Sequence, residues 1–295
     1  MCDKMFAPCL NPATVSGLGF AEVAALAAAN NIGHIEVSIQ QVVAFGPDKA
    51  VDLLDRLGIQ VAAACGLLPD GPVLPHPLLV DETTYQLALD GLAGRLHAFQ
   101  TIRCPVATLV VNPRTDLPLA AARELAISRL RRFAADCALH GVTLAVEPVG
   151  VRSGLPPSLD GRNEFVTDLP QLQRLLDDAG GETLLGAVSV CVDSFHWAVT
   201  GANPAHLAGL DPWRIGHVQI ADIPHKIPAG EWTDAMRLFP GDGALPWQRF
   251  VRGLETAGYG GPVSVELFNP DLRRLPEDEI ACHALSGALL LGDSR

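Results

Sequence analysis

Two spacings of apolar residues alternate along this chain. Short β-branched runs recur, and each is followed by a longer segment with apolar residues at helical spacing. The strand-like runs are MFAPCLN (from Met5), HIEVSIQQ (from His34), IQVAAACG (from Ile59), VATLVVN (from Val106), VTLAVEPVG, GAVSVCVDSFH, RIGHVQIAD and VSVELFN. Helices are predicted over residues 19–31 and 50–57. TYQLALDGLAGRLHAFQTI reads as a single helix, and LAAARELAISRLRRFAADCALHG as a long one stopped by Gly141. LPQLQRLLDDAGG, the short PAHLAGL and WQRFVRGLETAGYGG follow. PEDEIACHALSGALLL closes the chain, with Pro276 and an acidic first turn suited to a helix N-terminus.

Eight strand-plus-helix units in 295 residues predict one (β/α)8 TIM barrel, a single domain over residues 1–295. The continuous apolar runs suit a parallel sheet buried on both faces. A doubly wound open sheet is the alternative, but no Gly-x-Gly-x-x-Gly follows the first strand. A Pro-rich loop, LLPDGPVLPHP, follows the third strand. Two further long loops, residues 151–167 and 223–246, are expected to overhang the barrel mouth.

Charge narrows the partners. Lys and Arg number 21 against 33 Asp and Glu, a net charge of −12, so no nucleic-acid partner is expected. A bound divalent cation would offset part of that excess. The seven cysteines (Cys2, Cys9, Cys65, Cys104, Cys137, Cys191, Cys282) form no Cys-x-x-Cys pair. Their odd number and the lack of an opening secretory segment predict reduced thiols and a cytoplasmic protein. No run approaches the ~18 apolar residues of a membrane span.

Four of the late runs end in an oxygen ligand: Glu147 in LAVEPVG, Asp193 in SVCVDSFH, Gln219 in IGHVQIAD and Glu266 in VSVELFNP. Each has an ordinary explanation. A charge can cap a strand, Asp193 can cap the helix-like SFHWAV, and a buried amide can bond a neighbouring strand. Four at matching strand ends predict instead one divalent cation held by Glu147, Asp193, Gln219 and Glu266, because barrel strands converge at that face. His196 follows Asp193 by three residues and is a candidate catalytic residue, able to orient substrate or carry a proton. His217 shares a strand face with Gln219. His217, Asp222 and Arg237 are candidates for binding substrate, and His225 lies in the same loop. A surface ion pair is the equally weighted explanation for Arg237.

Such a site suits a hydroxyketone. The cation acts as a Lewis acid on the carbonyl and adjacent hydroxyl. Glu147 and Glu266, one on each side of the substrate, take and return the proton next to the carbonyl. Isomerisation, epimerisation and loss of a β-hydroxyl all remain open to the same residues.

At these residues the chain resembles the xylose isomerase-like barrel superfamily, in its sugar isomerase and epimerase branch. The pattern of strand-end Glu, Asp-x-x-His, His or Gln, and last-strand Glu falls on Glu147, Asp193 with His196, Gln219 and Glu266. CLNPAT, EPVG, DSFHWAVTG, IPAGEWTDAMRLFPGDGALP and VSVELFNP further resemble the inosose isomerases. That implies a metal-dependent isomerase or epimerase of a keto-sugar or keto-cyclitol, in inositol catabolism, acting through an enediolate. Inosose isomerases offer His where Gln219 stands. HVQIAD resembles hydroxypyruvate isomerases, and a Gln ligand also occurs in bacterial 3-dehydroshikimate dehydratases, which share the FPGxG loop. The resemblance therefore also allows hydroxypyruvate isomerisation or dehydration of a cyclic hydroxyketone. A non-catalytic sugar-binding barrel is the third alternative, disfavoured by a base on each face. An amide oxygen in place of imidazole favours magnesium or manganese over zinc or cobalt. The DNA-binding endonuclease branch is disfavoured by the acidic charge and the missing His ligands. Barrels of this family often pair through the loop-bearing face, which leaves a homodimer open.

Overall fold

A computed structural model describes residues 6–67 and 78–293. Cys2, the start of the first predicted strand at Met5 and most of the Pro-rich loop lie outside those residues. Eight parallel strands close into a barrel: β1 (Ala7–Leu10), β2 (His34–Ser38), β3 (Gln60–Cys65), β4 (Val106–Val111), β5 (Thr143–Pro148), β6 (Val188–Asp193), β7 (Ile215–Ile220) and β8 (Pro262–Val265). Each strand bonds to its neighbours in sequence, and β8 closes on β1 with Leu10 opposite Val265. All six residues of β4 and of β6 are buried, as expected for strands covered by helices outside and packed inside.

The helices ring this wall. The longest, Leu119–Leu139, turns Ala122, Ala126, Leu130, Phe133, Ala134 and Cys137 inward at helical spacing. Two predicted elements are corrected. TYQLALDGLAGRLHAFQTI forms two helices, Glu82–Leu89 and Leu92–Thr101. Asp90 is extended and Gly91 has φ +70, a left-handed conformation that breaks the helix, and Arg95 donates to the carbonyl of Asp90 across the break. HIEVSIQQ also splits: the strand ends at Ser38, and Ile39–Phe45 is helical.

Side chains alternate along each strand, so residues two apart face the same way. Ala63, Val106, Ala145 and Cys191 pack together as a small-residue floor inside the barrel. Two residues beyond Ala145 stands Glu147, and two beyond Cys191 stands Asp193. The same step leads from His217 to Gln219 and from Ser264 to Glu266. Polar groups thus sit on an apolar floor at the C-terminal mouth. Cys9, Cys104, Cys137 and Cys191 are buried free thiols, Cys65 is partly buried, and Cys282 is exposed. Burial pushes the Cys65 thiol up to about 12, so it stays protonated. No helix among the described residues is long and apolar enough to cross a membrane.

Candidate active site at the barrel mouth

The strand ends bring Glu147, Asp193, Gln219 and Glu266 together, all of them buried. Asp193 and Gln219 are register partners between β6 and β7, and Glu266 donates its backbone N–H to Ile220 on β7. Gln219 Nε2 donates to Glu266 Oε1 at 3.1 Å. Asp193 does two jobs: Oδ1 caps the helix Ser194–Val199 by accepting from His196 N, and Oδ2 accepts from Arg237 Nη1 at 2.5 Å. The capping expected of Asp193 is present, and it leaves the second oxygen for the site.

Arg237 is the central cation of this cluster. It is fully buried, and its guanidinium also bonds Asp234 Oδ1 at 2.9 and 2.8 Å and lies 3.5 Å from Glu266 Oε2. Burial alone would lower its pKa, but Asp193, Asp234 and Glu266 outweigh that and hold it charged. The surface ion pair considered for Arg237 is therefore replaced by a buried one. His196 Nε2 lies 3.2 Å from Arg237 Nη2, 3.8 Å from Glu147 Oε1 and 3.9 Å from Asp234 Oδ1. Burial lowers the His196 pKa more than Asp193 and Asp234 raise it. The ring is thus neutral and can accept from Arg237.

Asp222 is placed differently from the expectation that it binds substrate. Its carboxylate accepts from the backbone N–H groups of Ile223, Gly241 and Leu245 and from Trp247 Nε1. Its backbone forms an antiparallel bridge with Leu238, next to Arg237. Asp222 therefore folds the 223–246 loop and aims Arg237 at Asp193. Gly243 is required there, since a Cβ would lie 2.2 Å from the Ile223 carbonyl and 2.5 Å from Asp222 Oδ1. His225 is exposed on this loop. The 151–167 loop meets the 223–246 loop where Gly154 faces Thr233. It also pairs through Asn163–Glu164 with Arg114–Thr115 after β4.

Sequence reasoning passed over Glu36, Asn11 and Asp234. Glu36 projects inward from β2, and Oε1 accepts from His217 Nε2 at 2.8 Å and Asn11 Nδ2 at 2.9 Å. Gln219 Nε2 lies 3.4 Å from both Glu36 oxygens. His217 therefore faces a carboxylate beneath the site. Its place on the same strand face as Gln219 is as expected. The missed signal was a carboxylate inside an apolar strand, as at Glu266.

The pKa values of these glutamates are shifted in opposite directions. Burial pushes Glu147 well above the usual carboxylate range, and Glu266 and Asp193 add to it. Burial raises Glu266 likewise, with Arg237 opposing only in part. Burial would raise Glu36 too, but the charge and hydrogen bond of His217 outweigh it and lower the pKa. Glu147 and Glu266 bind protons more tightly folded than unfolded, so they oppose folding as pH rises from about 4.5 through their folded values. Glu36 contributes stability above 4.5 that is lost as pH falls through its lower folded value. In cation-free protein, the melting temperature of the wild-type chain is expected to fall relative to Glu147→Gln between about pH 4.5 and 8. A difference that stays constant with pH would show that Glu147 ionises without penalty.

These residues suit a hard divalent cation. Glu147 Oε1 and Glu266 Oε2 are buried without a hydrogen-bond partner, an expensive state that a cation would relieve. The donors are oxygens, as magnesium or manganese prefers. Among the described residues no three His, Cys, Asp or Glu side chains already converge in ligating geometry. Two of the proposed ligand oxygens have other partners: Asp193 Oδ2 accepts from Arg237 Nη1, and the Gln219 amide oxygen faces Cys191 Sγ at 3.6 Å.

Comparison with known proteins fits this architecture. An inosose isomerase from Halalkalibacterium halodurans is 25% identical over 200 residues, 68% of this chain and 66% of that protein. A 3-dehydroshikimate dehydratase from Pseudomonas putida is 33% identical over 106 residues, 36% of this chain and 17% of that protein. The matches thus span less than two thirds of either relative. A structure described as IOLI protein with a binding zinc atom superposes with a TM-score of 0.80 at 20% identity, covering 97% of each chain, a likeness of fold. Residues 15–286 match the family described as Xylose isomerase-like TIM barrel. With a closed eight-stranded parallel barrel and a match over nearly its whole length, the chain belongs to the xylose isomerase-like TIM barrel family.

Proposed function

We propose that this chain is a divalent-cation-dependent enzyme that moves a proton next to the carbonyl of a hydroxyketone, a keto-sugar or keto-cyclitol. One observation carries the reading. Glu147 and Glu266 are buried at one mouth, both with raised pKa values, and each keeps one oxygen free of hydrogen bonds. Two nearby carboxyls that repel each other's charge favour a state with one protonated and one ionised. That state is what a proton transfer between two faces of a substrate needs.

Glu147, Asp193, Gln219 and Glu266 would hold the cation, and it would supply Lewis-acid stabilisation of the negative charge that develops on the substrate oxygens. One of the two Glu carboxylates accepts the proton from the carbon beside the carbonyl, giving an enediolate, and a Glu carboxyl returns it. Return to the neighbouring carbon isomerises the substrate, and return to the opposite face epimerises it. Arg237 and neutral His196 orient the polar groups around the reacting atoms. Glu36 and His217, below them, keep Gln219 in place. The buried apolar floor closes the underside of the site to water.

Isomerisation or epimerisation is the leading outcome, supported by the longer match to an inosose isomerase. Dehydration of a cyclic hydroxyketone is the second reading, favoured by Gln219 and the higher local identity to a 3-dehydroshikimate dehydratase. Both begin with loss of the same proton. Manganese-loaded protein incubated with 2-keto-myo-inositol, hydroxypyruvate and 3-dehydroshikimate separates them. A new isomer supports the leading reading, and growing ultraviolet absorbance supports dehydration. No product from any of them, together with no manganese binding, would overturn both. Gln219→His is expected to keep cation binding and shift preference towards zinc by roughly tenfold or more, measured by metal competition. Unchanged preference would remove Gln219 from the ligand set.

A further inference from the structure

Two guanidinium groups pack against Phe268 at the barrel mouth, and they are in different states. The Arg237 guanidinium carbon lies 5.2 Å from the ring centroid, and that of Arg273 lies 5.5 Å from it. Arg237 is committed to carboxylates. Arg273 is half-buried and forms no ion pair among the described residues. Its Nε and Nη2 both donate to the carbonyl of Ala13, tying the loop after β8 to the loop after β1. Its Nη1 has no hydrogen-bond partner among the described residues. Burial lowers the Arg273 pKa, and the charge of Glu266 opposes this only in part.

Arg273 borders a cleft of about 240 Å³ between the ends of β1, β2 and β3. Ser16, Ser38 and Gln41 contribute polar groups to its walls. Pro12 and Cys65 belong both to this cleft and to the cavity that contains Glu36, Glu147 and Glu266. The cleft therefore adjoins the candidate active site. A molecule whose reacting carbons lie between the two glutamates can extend its far end towards Arg273.

We infer that Arg273 binds an anionic group, a carboxylate or a phosphate, at the end of the substrate remote from the reacting carbons. This rests on the hydroxyketone reading and narrows it to charged substrates. In a chain of net charge −12, an anion approaching the mouth meets repulsion unless a dedicated cation faces it. A planar guanidinium with an unspent edge in a half-buried cleft suits carboxylate and phosphate oxygens. A neutral keto-cyclitol would need no such group. The competing role for Arg273 is purely that of a staple between two loops.

The first test follows the Arg273 Nε–H resonance in ¹⁵N-labelled full-length protein, assigned by its loss in Arg273→Gln. Sodium acetate and inorganic phosphate are titrated separately at constant ionic strength. A saturable shift of that resonance is expected, and the anion that saturates it at lower concentration tells carboxylate from phosphate. No saturable shift with either overturns the inference. A saturable shift in a protein that exchanges no proton with any hydroxyketone keeps the anion site and removes the enzymatic reading. The second test compares binding of 3-dehydroshikimate and 2-keto-myo-inositol to manganese-loaded protein by calorimetry. Arg273→Gln is expected to weaken the anionic compound about 10- to 100-fold and the neutral one less than about twofold. Equal losses for both, or wild-type preference for the neutral compound, overturn the inference. Should Arg273→Gln fail to fold, Arg273→Lys keeps a cation and a donor for Ala13. It is expected to retain the preference for the anionic compound, and loss of that preference in a folded Arg273→Lys also counts against the inference.

Discussion

Glu266→Gln is expected to lower turnover by roughly 100- to 10,000-fold while leaving the barrel folded. The amide matches the carboxylate in shape, so its oxygen can still accept from Gln219 Nε2 and Asn11 Nδ2, as Glu266 Oε1 does. What it loses is the ability to take or return a proton. Because Glu266 is buried with a raised pKa, neutralising it also removes a charge that folding must desolvate. The melting temperature should therefore hold or rise while kcat collapses. The check is kcat together with thermal melting on the same preparation. Activity within about tenfold of the wild type would take Glu266 out of the acid/base pair.

The second large effect concerns Arg237. Arg237→Met keeps much of the side-chain volume but leaves Asp193, Asp234 and Glu266 facing one another without a cation. Breaking a buried ion pair in this way costs about 3–5 kcal/mol. For a domain of this size that is on the order of 10 °C in melting temperature. The loss should be largest in cation-free protein. Manganese should raise the melting temperature of Arg237→Met more than that of the wild type, because Arg237 no longer competes for Asp193. An equal rise in both would mean that Arg237 does not compete with the cation for Asp193.

The barrel and the placing of Glu147, Asp193, Gln219 and Glu266 at its C-terminal mouth were legible in the sequence for a physical reason. A carboxylate in an apolar, β-branched run is costly unless it has a purpose, so Glu147, Asp193 and Glu266 stand out. The two-residue period likewise put His217 and Gln219 on one face. Glu36 carries the same mark within HIEVS, but the register between β2 and β3 shifts between Ile35 and Glu36, and one strand read alone cannot reveal that irregularity. Asp234 and Asp222 depend on how the 223–246 loop folds back. The partners of Asp222 lie up to 25 residues away and are mostly backbone N–H groups, which no pattern of side chains announces. The helix break at Asp90 and Gly91 was hidden for a related reason. A single glycine is tolerated in many helices, and here the backbone conformation at both residues decided the outcome.

The central claim is that Glu147 and Glu266 exchange a proton at the carbon next to a carbonyl. The most direct measurement incubates manganese-loaded protein in D₂O with 2-keto-myo-inositol, common ketoses, hydroxypyruvate and 3-dehydroshikimate and follows each compound by proton NMR. Deuterium is expected beside the carbonyl of at least one, at a rate that Glu147→Gln and Glu266→Gln each reduce by roughly 100-fold or more. Exchange that persists undiminished in both variants, or no exchange with any compound by a protein shown to bind manganese, would contradict it.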